Sequence, residues 1–154
     1  MKRFIVISAL VVVIVGVMLY FMPQSFDKVI ARYTPSNAAV TLYCRETSLS
    51  CVDMGMGKKV VCTFSNYSQT LARCSQIDGF SVSFDGSFAD VQNLLNKLDI
   101  TVIDTQQLDG VTVICGVTRR IRNGVFVGGE YVNVQIAYNR GAVTIGSPLI
   151  LGDY

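Results

Sequence analysis

The chain has 154 residues, 51% of them hydrophobic, with a formal net charge of +2, five cysteines and neither His nor Trp. Without His, the Ser-His and Cys-His nucleophile pairs, histidine acid–base catalysis and His-bearing zinc sites are all excluded. Four of the 13 Lys and Arg (Lys2, Arg3, Lys28, Arg32) and one of the 11 acids (Asp27) precede Tyr33, which leaves nine bases against ten acids beyond it; that near-neutral stretch offers a polyanion no bulk attraction, so nucleic acid is not an expected partner.

Phe4 to Met22 reads FIVISALVVVIVGVMLYFM, without a charge or a proline. At about 1.5 Å of rise per residue this run covers roughly 28 Å, the hydrocarbon thickness of a bilayer, and predicts a transmembrane anchor over 4–22. Lys2 and Arg3 ahead of it predict a cytoplasmic tip at 1–3 and an extracytoplasmic remainder. The run ends in LYFMPQSF, with no small-residue cleavage site, so an uncleaved anchor is expected rather than a removed signal peptide. The expected location is therefore the cell membrane, crossed once, with the C-terminal domain outside. Residues 23–37 read as a juxtamembrane stem closed by Pro35 and Ser36, and 38–154 as one domain.

Within that domain, Val40–Glu46 and Cys51–Asp53 are predicted strands joined by a hairpin loop at Thr47–Ser50, and Lys58–Phe64 is a third. Ser65 can cap a helix in which Tyr67, Leu71, Cys74 and Ile77 form one stripe, ending at Asp78-Gly79. Phe80, Val82 and Phe84 alternate with serines, the period of a half-buried strand. Ser87 can cap a second helix with Phe88, Val91, Leu94, Leu95 and Leu98 on one face. Strands follow at Ile100–Thr105, Val111–Thr118, Val125–Val127, Tyr131–Tyr138 and Ala142–Ile145, punctuated by Asp109-Gly110, Asn123-Gly124, Gly128-Gly129 and Arg140-Gly141. Together they predict an α+β fold: an antiparallel sheet with two helices packed on one face, behind an N-terminal transmembrane helix. Val132, Val134, Ile136 and Tyr138 should face the helices, leaving Asn133, Gln135 and Ala137 on an open face.

The tail VNVQIAYNRGAVTIGSPLILGDY carries Asn133, Gln135, Ile136, Ala137, Thr144, Gly146, Pro148, Asp153 and Tyr154 in the order N-x-Q-I-A, T-x-G-x-P and a final acidic-Tyr pair. In this it resembles the YwmB family, and the helix-strand-strand run from Phe88 to Gly116 extends the resemblance over the C-terminal half. The resemblance implies an extracytoplasmic protein of spore-forming Gram-positive bacteria, sporulation-associated, with a helix-on-sheet fold similar to the TATA-box-binding protein. It implies no reaction, since fold alone does not carry function.

For chemistry, the acids sit mostly at predicted turns and helix ends, where Asp bonds its own backbone, and no glycine loop has the sequence of a phosphate cradle. Cys44, Cys51, Cys62, Cys74 and Cys115 would lie outside the membrane, where disulfides are allowed. A Cys44–Cys51 bridge across the first hairpin is the expected pair, with buried free thiols as the alternative and a four-Cys metal site disfavoured by the absence of C-x₂₋₄-C spacing. Arg119, Arg120 and Arg122 form the one dense charge cluster of the domain; they could contact anionic polymer or lipid headgroups, or simply be a solvated connection. With Asn133 and Gln135 they make the candidate interaction surface. The expected function is a membrane-tethered interaction protein of the cell envelope, with an envelope protein as partner, no cofactor and no catalysis. The alternative is an envelope enzyme, a thiol- or carboxylate-based hydrolase.

Overall fold

The computed structural model describes residues 12–13, 24–55 and 57–151. The expected span at 4–22 and tip at 1–3 lie outside the described residues, except that Val12 and Val13 are helical and exposed. No helix among the described residues is long and apolar enough to cross a membrane.

The described chain runs α1 (Phe26–Ile30), β1 (Ala39–Thr47), β2 (Val52–Asp53), β3 (Lys58–Thr63), α2 (Tyr67–Leu71), β4 (Cys74–Asp85), α3 (Phe88–Lys97), β5 (Thr101–Leu108), β6 (Val111–Val117), β7 (Val125–Val127), β8 (Glu130–Val132), β9 (Val134–Asn139) and β10 (Ala142–Ser147). Eight strands form one antiparallel sheet in the order β2-β3-β1-β4-β10-β9-β6-β5, and β7-β8 pair apart from it. This is an α+β fold of mostly antiparallel sheet with short helices.

Register explains why the sheet holds. Val40 faces Val82, Val82 faces Ile145, Ile145 faces Ile136 and Ile136 faces Ile114, so one apolar row crosses five strands. Because side chains alternate faces, that row and its neighbours two residues away make one continuous apolar surface. Val91, Leu94 and Leu98 of the α3 region, Phe26 and Ile30 of α1, and Tyr67 and Leu71 of α2 pack on it in a single cluster. Ser87 starts α3 as expected: its backbone N–H donates to Asp90 Oδ2 at 2.7 Å and its hydroxyl at 2.8 Å. Those bonds hold the Asp90 carboxyl below its usual range and supply a partner for a backbone N–H that the helix leaves unpaired.

Four expectations are corrected. Within the expected stem at 23–37 the segment Phe26–Ile30 is helix packed into the fold: Phe26, Val29 and Ile30 are buried, and the Phe26 ring meets Phe80 edge-on at 5.4 Å. The helix expected to run to Ile77 stops at Leu71, and Cys74–Ile77 pair with Thr47–Cys44 as strand, turning through a positive φ at Gln76. Tertiary pairing with β1 outweighs a weak helical stripe there. The first hairpin does not form either, because β2 pairs with β3 (Val52 with Lys59) and β3 lies between it and β1.

The fourth correction is the open face. Thr41, Ser81, Gly146, Gln135 and Cys115 form the polar row on the second side of the sheet. The chain's own Ile150 lies across it, buried with Val113 and Ala137. A Cβ at Gly146 would come within 2.8 Å of the Ile150 side chain, so this crossing needs glycine. Gln135 and Ala137 are consequently buried.

Candidate functional site

Asn133 and Gln135 do not lie on a surface. Tyr131–Tyr138 is not one strand but two, broken at Asn133, which is only 2% exposed. Its side chain acts as a clamp: Oδ1 accepts the Thr118 N–H at 2.9 Å, while Nδ2 donates to the carbonyls of Thr118 at 2.7 Å and Ile121 at 3.0 Å. Gln135 accepts the Ile150 N–H on Oε1 at 2.9 Å and donates from Nε2 to Cys115 Sγ at 3.3 Å. An amide in a strand finds such partners wherever a neighbouring segment lacks its own ladder, and that neighbour is not visible in the strand's sequence.

What Asn133 clamps is the arginine loop. Thr118 is buried, its hydroxyl donating to Leu98 O and accepting the Arg120 N–H at 3.2 Å. Ile121 is buried between exposed Arg120 and Arg122. The loop then pairs with the start of the folded chain, the Gln24 N–H donating to Arg120 O at 2.8 Å and the Arg122 N–H to Gln24 O at 3.1 Å. The Asn133 N–H donates to Gly116 O at 3.1 Å, rooting the β7-β8 hairpin beside the loop. Gly128-Gly129, both at positive φ, turn this hairpin, as their sequence predicts. Phe126 is 76% exposed and meets the exposed Tyr131 edge-on at 5.6 Å, with Val127 exposed beside them. Three arginines and an aromatic hairpin thus leave one end of the sheet together. The sequence shows the arginines; the exposure of Phe126 was hidden, because a V-F-V strand reads as core.

The thiols form a second grouping. All five cysteines are free, so the expected Cys44–Cys51 bridge is absent; β3 stands between the elements that would have faced them. Cys44 is buried, and its thiol is pushed up to about 11, first by burial and then by a hydrogen bond with the Cys74 thiol. Burial likewise raises Cys62, against a stabilising Thr70 hydroxyl. Among the described residues no group of three or more Cys, Asp or Glu is placed to hold a metal ion. Comparison of the chain with family models, curated proteins and solved structures returns no match.

Proposed function

We propose that this protein is a membrane-tethered, extracytoplasmic domain of the cell envelope that works by binding a protein partner, with Phe4–Met22 as the single transmembrane anchor. The apolar run without a charge, with Lys2 and Arg3 ahead of it, supports the anchor and its orientation. Exposed Val12 and Val13 fit lipid contact. The likeness of the C-terminal tail to the YwmB family supports an extracytoplasmic setting.

One observation carries the binding reading. β5 is the last strand of the sheet, eight residues long, with Val102 and Leu108 among its exposed side chains. Such an edge presents a row of backbone donors and acceptors to which an extended segment of a partner can add as a further strand. A photo-crosslinking residue at Val102 should yield a discrete adduct in intact cells, lost when Thr105→Pro removes a donor from the edge. Equal crosslinking from exposed Val61 on β3, or an adduct indifferent to Thr105→Pro, rejects the edge as the binding site.

An enzyme of the envelope is the second reading. It is disfavoured because Cys44 and Cys62 are shifted away from the thiolate that a nucleophile needs, and because Asp90 spends its carboxylate on capping α3.

A further inference from the structure

We infer that the arginine loop and the β7-β8 hairpin form a lipid-docking surface, in which Arg119, Arg120 and Arg122 meet anionic headgroups while Phe126, Val127 and Tyr131 enter the interfacial layer of the same membrane. The inference rests on the anchor reading above, and it adds a ligand and an orientation to it.

The apolar run ends at Met22, and Gln24 is already bonded on both sides to the arginine loop. Two residues of chain reach about 7 Å at most, so the Arg120–Arg122 backbone lies within a short step of wherever the run leaves the bilayer. No stem separates them, because Phe26 to Ile30 are built into the core directly after Gln24. The end of the sheet that carries Gln24 must therefore face the membrane.

What that end exposes suits an anionic lipid surface. From Thr118 to Val132 three arginines stand against one acid, Glu130, and cations near a negatively charged leaflet are attracted over about a Debye length. Beside them Phe126 and Tyr131 are exposed on a short hairpin, an apolar ring to enter the interfacial layer next to an amphipathic Tyr of the kind enriched at headgroup level. Neither feature contributes to the core: Phe126 is 76% exposed, and Arg119 and Arg120 are exposed too. A buried Asn133 nevertheless fixes the loop, so the charges are presented on a rigid frame.

The chain has no Trp, so Phe126→Trp supplies a single indole reporter. The full chain is reconstituted into nanodiscs of phosphatidylcholine with or without 30% phosphatidylglycerol, and quenching by dibrominated phosphatidylcholine is read. The matched control is Leu108→Trp, at an exposed position on the far end of β5, seven residues and roughly 23 Å of strand away from Thr101. Phe126→Trp should be quenched at least about twofold more than Leu108→Trp in the anionic discs, and Arg119→Gln with Arg120→Gln should abolish most of that difference. Equal quenching at the two positions, or quenching indifferent to both phosphatidylglycerol and the arginines, overturns the docking surface while leaving the anchor intact. Release of the unsubstituted chain from membranes by alkaline carbonate overturns the anchor, and the docking surface with it.

Discussion

The clamp at Asn133 and the hairpin that grows from it are adjacent in sequence and opposite in exposure. Asn133 is a polar residue with every contact inside the protein, whereas Phe126, seven residues earlier, is an aromatic residue with three-quarters of its surface in solvent. Residue type would assign them the other way round. The difference is that Asn133 stands at the head of β9, which lies in the middle of the sheet with β10 and β6 on its flanks, while Phe126 stands on β7, which pairs only with β8. Position relative to the sheet decides burial, and a polar residue buried at the break before a central strand is there because something nearby lacks a hydrogen bond.

Replacing the clamp should give the largest effect. Asn133→Ala leaves the Thr118 N–H and the carbonyls of Thr118 and Ile121 without their partner in a buried site, so we expect a loss of about 3–5 kcal/mol in denaturant unfolding. An exposed Asn would cost about 0.5 kcal/mol or less; a loss that small would show that water replaces the amide freely and that the loop is not held by it.

Next come the two neighbours that test the faces of β9. Val134→Ala removes buried methyl groups from the helix-side core and should cost about 1–3 kcal/mol. Gln135→Ala points to the other side, unties Ile150 and should cost about 1–2 kcal/mol. A Gln135→Ala variant as stable as the unsubstituted protein would mean that the C-terminal segment does not depend on that amide to cover the sheet.

Much of this architecture was legible in sequence. Strand alternation at Phe80–Phe84, the Ser87 start of α3 and the turns at Asp109-Gly110, Gly128-Gly129 and Arg140-Gly141 all rest on local rules, and all appear where local rules put them. The misreadings share a different cause. Cys74–Ile77 became strand through pairing with β1, Phe26–Ile30 became core through contact with Phe80, and Gln135 became buried through Ile150. Each partner lies at least 15 residues along the chain, on a different element, so the periodicity within one element does not show it. The arginine loop was visible as charge, but its place beside Gln24 depends on a parallel bridge spanning nearly a hundred residues.

The thiols offer a smaller effect that separates buried from exposed cysteines. Since the Cys44 thiol is pushed up to about 11, it should react with iodoacetamide at pH 8 far more slowly than exposed Cys51, because the thiolate is the reacting species. The linkage has a definite sign. A raised folded-state value stabilises the protein while the thiol stays protonated, fully below the ordinary value near 9, and that contribution is lost as pH rises through about 11. The stability difference between the unsubstituted protein and Cys44→Ala should therefore be level below pH 9 and shrink above it. Equal alkylation of Cys44 and Cys51 would place Cys44 in contact with solvent.

The smallest expected effect on stability completes the contrast with the clamp. Arg120→Gln and Phe126→Ser alter side chains that face solvent, and each should leave the unfolding free energy within about 0.5 kcal/mol. The Arg120 backbone keeps both of its bonds, to Gln24 and to the Thr118 hydroxyl, whatever its side chain. For Phe126 the lost contact is the edge-on meeting with Tyr131, exposed itself and hence weakly stabilising. What sets Phe126 apart from a lone exposed side chain is the patch it makes with exposed Val127 and Tyr131, since contiguous apolar surface rather than a single residue marks a site of interaction. If Phe126→Ser instead lowers stability by more than about 1 kcal/mol, the ring supports the hairpin itself, and its exposure no longer argues for a surface that meets lipid.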